Sequence, residues 1–329
     1  MLLSAQHIPQ LQDYLLRRGW LDENESIATV EKPGEGNMNF TLRVRTPIRT
    51  LIVKQARDYV EKYPSIPAPA ERAIVEGHFY EAVRPFTLLA EQMPQLLGMD
   101  PENNILVLED LGESCDFTWL YQPGQSLDDV ALDTLTGYLS DLHNHFERAV
   151  PNPAFANRAM RALNHEHLFV FPFMPDNGFD LDTVQPGLQA LAMPYKTDEA
   201  LKKAVLRLGD TYLADGHTLL HGDFYPGSWL QTNKGTKVID PEFCFYGPAE
   251  YDLGVMIAHL YMAGQPDALI DSIWQRYQAP ATFDDGLRRQ FTAVELLRRL
   301  IGLAQLPLHL SLDQKQTLLE QARQTVRPA

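Results

Sequence analysis

The chain has 329 residues, a formal net charge of −15, 45% hydrophobic residues and 22% charged residues. This length exceeds the ~100–200 residues of a typical domain, so we expect two lobes or two domains with a sizeable core. The acidic balance argues against a nucleic-acid-binding protein, because following a phosphate backbone requires clustered Lys and Arg.

The N-terminal part of the chain predicts a helix followed by paired strands. Apolar residues at near-helical spacing predict a short amphipathic helix over 7–19. Two β-type runs, 39–45 and 50–54, are separated by a break at Pro47. We therefore predict an antiparallel pair of strands at the start of the first lobe.

A connector, a helix and a buried strand are predicted next. The stretch 63–69 contains three prolines and predicts a rigid connector, and 70–83 has helical composition. The apolar run 104–111 is ended by Gly112, which predicts a buried strand that leads to a lobe boundary near residue 111.

Beyond residue 111 the pattern is mainly helical. The strongest helical segments are 132–146, 198–216, 251–263 and 285–303. Two strand-like runs, 228–232 and 236–240, flank a Gly-containing turn and predict a hairpin. The predicted fold class is α+β, with a small antiparallel-sheet lobe and one helix in 1–111 and a larger, mostly helical lobe in 112–329.

Cysteine use and hydropathy indicate the compartment. Cys115 and Cys244 are the two cysteines of the chain. They are too few for a disulfide framework, which favours a reducing environment, and we expect both to be buried. No window approaches the ~20 apolar residues of a membrane helix, and the N-terminus lacks signal-peptide features. We expect a cytoplasmic protein that does not bind a membrane.

Three features in chain order indicate a nucleotide site. The stretch 34–39, Gly-Glu-Gly-Asn-Met-Asn, precedes the first strand and could let backbone N–H groups approach phosphate, although such a stretch is commonly only a turn. Lys54 ends the second strand, where it could reach phosphates or remain a solvated charge. A helical Glu would fix this lysine by an ion pair. Glu76 is the first choice, with Glu71 and Glu81 on the same predicted helix as alternatives.

The strongest signal is the segment 221–228, His-Gly-Asp-Phe-Tyr-Pro-Gly-Ser, followed by the hairpin and by Asp240-Pro241-Glu242. Asp223 on a rigid loop could orient the proton of an attacking hydroxyl, while Asp240 could coordinate a metal that bridges the phosphates. His221 is expected to bond backbone around the loop rather than to transfer protons. The alternative is that these residues only build a turn, but turn chemistry alone does not explain the whole order.

At these residues the chain resembles the aminoglycoside phosphotransferase and choline kinase superfamily, and within it the methylthioribose kinases. The resemblance covers most of the chain. Its motifs are the loop GEGNMNF (34–40), LIVKQA (51–56), VLEDL (107–111), DPEFCFYGP (240–248) and RRLIGLA (298–304). It implies a protein-kinase-like, two-lobed fold.

The resemblance also implies ATP and Mg²⁺ as cofactors and a role for each matched residue. Asp223 would be catalytic, Lys54 would contact phosphate with Glu76 as its partner, and Asp240 and Glu242 would hold Mg²⁺. The other implied nucleotide contacts are Gly34, Gly36, Asn37, Asn39, Ser228 and the backbone from Glu109 to Leu111.

Two arginines late in a predicted helix, Arg298 and Arg299, would reach the sugar site by the same resemblance. Alternatively, they could only complement the helix dipole. Ser228 stands where the wider superfamily has a metal-binding Asn. The methylthioribose kinases resemble this chain in having a serine at this position. The resemblance also makes a homodimer plausible.

The acceptor is expected to be a small molecule with a hydroxyl, above all the 1-hydroxyl of 5-methylthioribose or a related sugar. The catalytic loop reads HGDFYPGS where methylthioribose kinases commonly read HGDLHTGS, so Phe224 and Tyr225 could reshape the sugar pocket. Two alternatives stay open. One is a kinase for another small alcohol, such as an aminoglycoside, choline or a homoserine-like compound, and the other is a catalytically silent nucleotide-binding protein.

Overall fold

The computed structural model describes residues 2–34 and 38–327. The α-helices within these ranges are Ile8–Arg17 (α1), Arg72–Val83 (α2), Thr87–Ala90 (α3), Asp129–His145 (α4), Arg158–His165 (α5), Leu188–Lys196 (α6), Glu199–Leu213 (α7), Glu250–Met262 (α8), Asp267–Arg276 (α9), Asp285–Ile301 (α10) and Leu312–Val326 (α11). The strands are Thr29–Glu31 (β1), Phe40–Arg45 (β2), Thr50–Gln55 (β3), Tyr59–Val60 (β4), Tyr63–Pro67 (β5), Leu96–Asp100 (β6), Ile105–Glu109 (β7), Ser114–Asp116 (β8), Thr218–Leu220 (β9), Trp229–Thr232 (β10), Gly235–Val238 (β11) and Phe245–Gly247 (β12).

These elements form two units. Met1–Cys115 and Gln231–Cys244 make up the first, called the N-terminal unit, and Asp116–Leu230 and Phe245–Ala329 make up the second, called the C-terminal unit. The first is built on an antiparallel sheet and the second is mainly helical, so the predicted α+β class is confirmed. The division into domains at residue 111 stays a prediction.

The N-terminal unit contains a five-stranded antiparallel sheet of order β1-β2-β3-β7-β6. Alternation along β3 sends Val53 to a core shared with α1, while Lys54 faces the opposite side. Lys54 is paired across the ladder with Thr41 on β2 and Leu106 on β7. The side of the sheet that carries Lys54 and Leu106 also packs against Ala73 of α2. The register therefore brings Lys54 to the face that α2 covers.

Most predicted elements of this unit are confirmed, with one error. The antiparallel strand pair, the buried strand and both helices are present within a few residues of their expected ends. The proline-rich stretch 63–69 was predicted as a connector, but β5 pairs with β4 in an antiparallel ribbon. Prolines fit there because each strand of a two-stranded ribbon has an outer edge without a partner strand, and a missing N–H on that edge costs no ladder bond. The sequence patterns also missed β1 and β6.

The C-terminal unit is organised around α8 and α10. Its core is formed by buried apolar side chains of α6, α7, α8, α10 and α11. The four predicted helices correspond to α4, α7, α8 and α10. The antiparallel pair of β9 and β12 places Leu220 opposite Phe245, directly before the loop that begins at His221. The fold therefore holds the predicted catalytic loop between a short strand and the helical core.

Two further expectations concern the cysteines and membrane spans. Cys244 is buried as expected, but the expectation for Cys115 was wrong, because it lies on the exposed strand β8. In the ranges 2–34 and 38–327, none of the helices has the length and apolar character that crossing a bilayer requires.

Candidate active site

Lys54 is the centre of a charged cluster in the N-terminal unit. Its side chain is buried, and Nζ donates to Glu76 at 2.7 Å and to Asp240 at 2.7 Å. Glu76 lies on α2 and is fully buried, whereas Glu71 and Glu81 are exposed. The predicted ion pair between Lys54 and Glu76 is confirmed, and the two alternative glutamates are excluded as its partners.

The charges around Lys54 keep it protonated. Burial alone would lower the pKa of the Lys54 ammonium, but Asp240, Glu76 and Glu242 outweigh burial and raise this pKa. Burial raises the pKa of Glu76, as do Asp240 and Glu242, while Lys54 opposes the rise. A buried cation therefore lies among several carboxylates, an arrangement suited to an anionic ligand accompanied by a metal ion.

Glu242 is bound by the N-terminal unit's own side chains. Its Oε2 accepts from Asn39 Nδ2 at 2.8 Å and lies 3.2 Å from Arg72 Nε. Arg72 is fully buried and also donates to the carbonyl oxygen of Met38 at 2.8 Å. Asn39, expected to contact nucleotide, is buried and bonds both charged residues. Arg72 thus fastens the end of the glycine-containing stretch to the segment that carries Glu242.

Asp240 follows β11 with a positive φ of 62° and a side chain that is 45% exposed. Asp tolerates this left-handed conformation better than most residues. Glu76, Asp240 and Glu242 bring three carboxyl groups together with the two cations Lys54 and Arg72. Among the described residues no group of three or more His, Cys, Asp or Glu could hold a metal. The donors fit Mg²⁺, which is commonly held by one or two carboxylates plus phosphate oxygens.

The segment after β7 is fixed by Arg43. Arg43 Nε lies 2.9 Å from Asp110 Oδ2, and its Nη2 donates to the Gly112 carbonyl at 3.2 Å. Glu109 uses its own N–H to bond Gln95 O at 2.8 Å, so that group is not available to a base. A cavity of about 310 Å³ borders this segment, lined by Arg43, Arg45, Thr50, Asp110, Gly112 and Glu113. Arg43 lies two residues from Thr41, on the face of the sheet that carries Lys54.

Five expected nucleotide contacts remain, and three of them lie within the described residues. Gly36 and Asn37 lie outside the described residues, and Gly34 immediately precedes that gap. Leu111 is buried at the end of the segment that Arg43 fixes. Ser228, in the C-terminal unit, is buried in a short 3₁₀ turn, where its N–H bonds Tyr225 O at 2.8 Å.

The loop that carries Asp223 in the C-terminal unit is anchored through its backbone. Asp252 on α8 is fully buried and accepts from His221 N at 2.7 Å and from Gly222 N at 2.9 Å. Gly222 has a φ of 87°, a conformation that glycine adopts without strain. The His221 ring accepts from Asp223 N at 3.3 Å, which confirms its expected backbone role. The loop is thereby held in one conformation with the Asp223 side chain 22% exposed.

Arg298 and Arg299 lie at the end of α10, and Arg299 is next to Asp223. Arg299 Nη2 is 3.5 Å from Asp223 Oδ1, and both arginines contact Glu295, with 3.0 Å from Arg298 Nη1 and 2.6 Å from Arg299 Nε. Both arginine side chains are more than nine-tenths buried. A helix dipole acts on exposed charges too, so it does not explain why two guanidinium groups are buried beside a carboxylate.

Two of the three loop residues that depart from the methylthioribose kinase pattern, Phe224 and Tyr225, behave differently. Phe224 is fully buried and stacks on Tyr138, with ring centres 5.7 Å apart. Tyr225 lies under the Arg299 guanidinium, 4.9 Å from its carbon. Of these two residues, therefore, only Tyr225 contacts the predicted acceptor residues.

Several residues of these clusters were missed by the sequence analysis, above all Arg72, Asp252, Glu295 and His259, whose Nε2 lies 3.1 Å from Glu295 Oε1. Glu295 had a readable signal, because it precedes both arginines by three and four residues and so shares their helix face. Arg72 and Asp252 act on backbone groups distant in sequence, which no local pattern reveals.

Known proteins resemble this chain over most of its length. The family model "Phosphotransferase enzyme family" matches residues 29–291. Methylthioribose kinase of Exiguobacterium sibiricum is 29% identical over 325 residues, covering 85% of this chain and 81% of the relative. Methylthioribose kinase of Pectobacterium carotovorum is 29% identical over 354 residues, covering 89% of this chain and 84% of the relative.

Solved structures show the same fold at low sequence identity. Choline kinase LicA from Streptococcus pneumoniae has a TM-score of 0.54 and 14% identity, covering 97% of this chain and 99% of its own. A LicA structure in complex with AMP gives the same TM-score of 0.54. The kinase-like fold expected from the motifs is thereby confirmed. Since the family model spans most of the sequence, the chain belongs to the phosphotransferase enzyme family.

Proposed function

We propose that this protein uses ATP to phosphorylate the 1-hydroxyl of 5-methylthioribose or of a closely related sugar. It is an ATP-dependent small-molecule kinase by its family and by its methylthioribose kinase relatives. The observation that carries the proposal is the placement of Asp223 beside a buried arginine pair, in a loop that Asp252 fixes. A fixed carboxylate flanked by guanidinium donors suits a neutral, hydroxyl-rich acceptor.

The N-terminal unit would bind the nucleotide. Lys54, held by Glu76, would contact the phosphates, and the backbone near Leu111 would contact the base. Asp240 and Glu242 would hold Mg²⁺, which supplies neutralisation of phosphate charge when bound. Arg72 and Asn39 keep Glu242 in place through Oε2. The AMP complex of LicA supports nucleotide binding by this fold.

The C-terminal unit would bind the acceptor. Asp223 would accept a hydrogen bond from the acceptor hydroxyl and so orient it for attack on the terminal phosphorus. Arg299, which lies beside Asp223, would bind other hydroxyls of the sugar through its guanidinium donors, and Glu295 would hold Arg298 next to it.

The test is ADP release from ATP and Mg²⁺ by purified protein, comparing methylthioribose with ribose, choline, homoserine and an aminoglycoside. We expect selective turnover of methylthioribose. Asp223→Ala should lower turnover at least about 10²-fold with ATP binding largely kept, because only the acceptor loses its orienting group. Near-normal turnover in this variant would remove Asp223 from the mechanism.

The two alternative functions predict different results on the same panel. Turnover of another alcohol alone would keep the mechanism and discard methylthioribose, although the buried arginine pair disfavours a cationic acceptor. Mg²⁺-dependent ATP binding without transfer to any acceptor would favour a silent nucleotide-binding protein. The presence of Lys54, Asp223 and Asp240 in ordered clusters argues against that alternative. A cytoplasmic location and a homodimer stay predictions.

A further inference from the structure

We propose that Glu295 is the positioning residue of the acceptor site, where it holds Arg298 and Arg299 and so limits how closely Arg299 approaches Asp223. The proposal rests on the proposed function, in that Asp223 is taken to orient the acceptor hydroxyl. Glu295 itself does not contact a reacting atom. It lies on α10, one helical turn before the two arginines, and its side chain is 1% exposed.

Three side chains converge on the Glu295 carboxylate. Arg298 Nη1 donates to both oxygens, at 3.2 Å and 3.0 Å, Arg299 Nε donates to Oε1 at 2.6 Å, and His259 Nε2 lies 3.1 Å from Oε1. Burial would raise the pKa of Glu295, but the two arginines and His259 hold it well below its usual range. Glu295 is therefore ionised, and it can only accept hydrogen bonds.

This ionisation fixes the direction of the remaining bonds. Because Glu295 can only accept, His259 Nε2 carries the ring proton. His259 Nδ1 then has a lone pair, so the Tyr121 hydroxyl, 2.6 Å away, must donate to it. Burial keeps His259 neutral by lowering its pKa to about 4, and burial raises the pKa of Tyr121, which keeps its hydroxyl protonated. A chain of directed bonds thus runs from Tyr121 through His259 to Glu295.

Arg299 lies between two carboxylates. Glu295 binds its Nε closely, while Asp223 lies 3.5 Å from its Nη2, beyond an ordinary hydrogen bond. The Tyr225 ring packs against both the Arg299 guanidinium and the His259 ring, at 4.9 Å and 5.1 Å. Without the charge of Glu295, Arg299 would be drawn toward Asp223 and would compete with the acceptor hydroxyl for the Asp223 carboxylate.

The kinetic test compares Glu295→Gln, which keeps size and loses charge, with wild type on the acceptor that wild type phosphorylates. We expect kcat/KM for the acceptor to fall about 10²-fold, the cost of misplacing a reacting group, while KM for ATP changes less than about twofold. Tyr121→Phe should lower kcat/KM for the acceptor less, because it removes only the hydrogen bond from Tyr121 to His259 and keeps the aromatic ring. Glu295→Asp, which restores the charge, should recover part of the loss.

Glu250→Gln is the matched control, because Glu250 is also buried in this unit and its carboxylate accepts from Asp284 N at the start of α10. It should lower thermal stability with the acceptor constants unchanged. If Glu295→Gln behaved like this control, Glu295 would be merely structural and the proposal would be wrong.

A crystal structure of Glu295→Gln separates this inference from the proposed function. We expect Arg299 within hydrogen-bond distance of Asp223 in that variant, and an unmoved Arg299 would overturn the inference whatever the acceptor is. Wild-type protein without turnover on any acceptor would instead refute the proposed function, and the position of Arg299 would still decide whether Glu295 holds it.

Discussion

Lys54 shares its ammonium group between Glu76 and Asp240, at 2.7 Å from each, and this division gives the first prediction. In Glu76→Gln the lysine loses one negative partner and should shift toward Asp240, away from the phosphates. We expect KM for ATP to rise about tenfold, equivalent to about 1.4 kcal/mol, with KM for the acceptor little changed. Steady-state kinetics with ATP varied checks this. Glu81→Gln, an exposed change on the same helix, is the control, and equal ATP constants for the two variants would contradict the prediction.

At the residue scale, sequence reasoning succeeded where chemistry and spacing are local. The pairing of Lys54 with Glu76 and the loop around Asp223 followed from residue types in a fixed order. The hydrogen bond from Asn39 to Glu242 could not be predicted in this way, because these residues lie 203 positions apart. Burial of Arg72 was equally hidden, since an arginine is rarely buried unless backbone carbonyls and a carboxylate satisfy it, and those partners come from separate segments.

Helix α8 anchors the loop that carries Asp223 through one side chain, which gives a prediction at the scale of elements. Asp252→Ala would leave the N–H groups of His221 and Gly222 buried without an acceptor, at about 1–3 kcal/mol each. We expect a loss of about 2–6 kcal/mol in unfolding free energy and faster hydrogen exchange over residues 221–224. Asp252→Asn keeps one acceptor oxygen and should lie between wild type and Asp252→Ala. Unchanged exchange in the loop would show that α8 does not hold it.

Helices and strands were predictable where their periodicity was strong. α4, α7, α8 and α10 appear within a few residues of their predicted ends. α11 was missed because it is mostly polar, yet Ser311 and Gln314 form a capping box that marked its start. The β4–β5 ribbon was missed because its prolines were interpreted as a connector, and only the pairing partner shows that they lie on edge strands.

At the scale of the whole molecule, the buried network around Glu295 links the proposed acceptor site to stability. His259 is fully buried and neutral, with Glu295, Arg298, Arg299, Tyr121 and Tyr225 around it. A buried imidazole that stays neutral in the folded protein makes the free energy of unfolding depend on pH, because the unfolded chain binds a proton that the native state does not bind. The site is thus expected to weaken the fold on acidification even though its carboxylates are satisfied.

The sign and the window follow from the two pKa values of His259. Its pKa is about 6.5 unfolded and about 4 folded, so its stabilising contribution is complete above pH 6.5 and is lost as pH falls to about 4. Between these limits wild type should lose up to about 1.4 kcal/mol of unfolding free energy per pH unit through this residue. His259→Gln, which can still donate to Glu295, should lack that part of the slope.

Urea denaturation at pH 7, 6 and 5 measures how the free energy of unfolding changes with pH. His7→Gln replaces an exposed histidine and is the control, and its slope should equal that of wild type. Equal slopes for wild type and His259→Gln would mean that His259 already binds its proton in the folded protein, and the bond directions from Tyr121 to Glu295 would then be wrong.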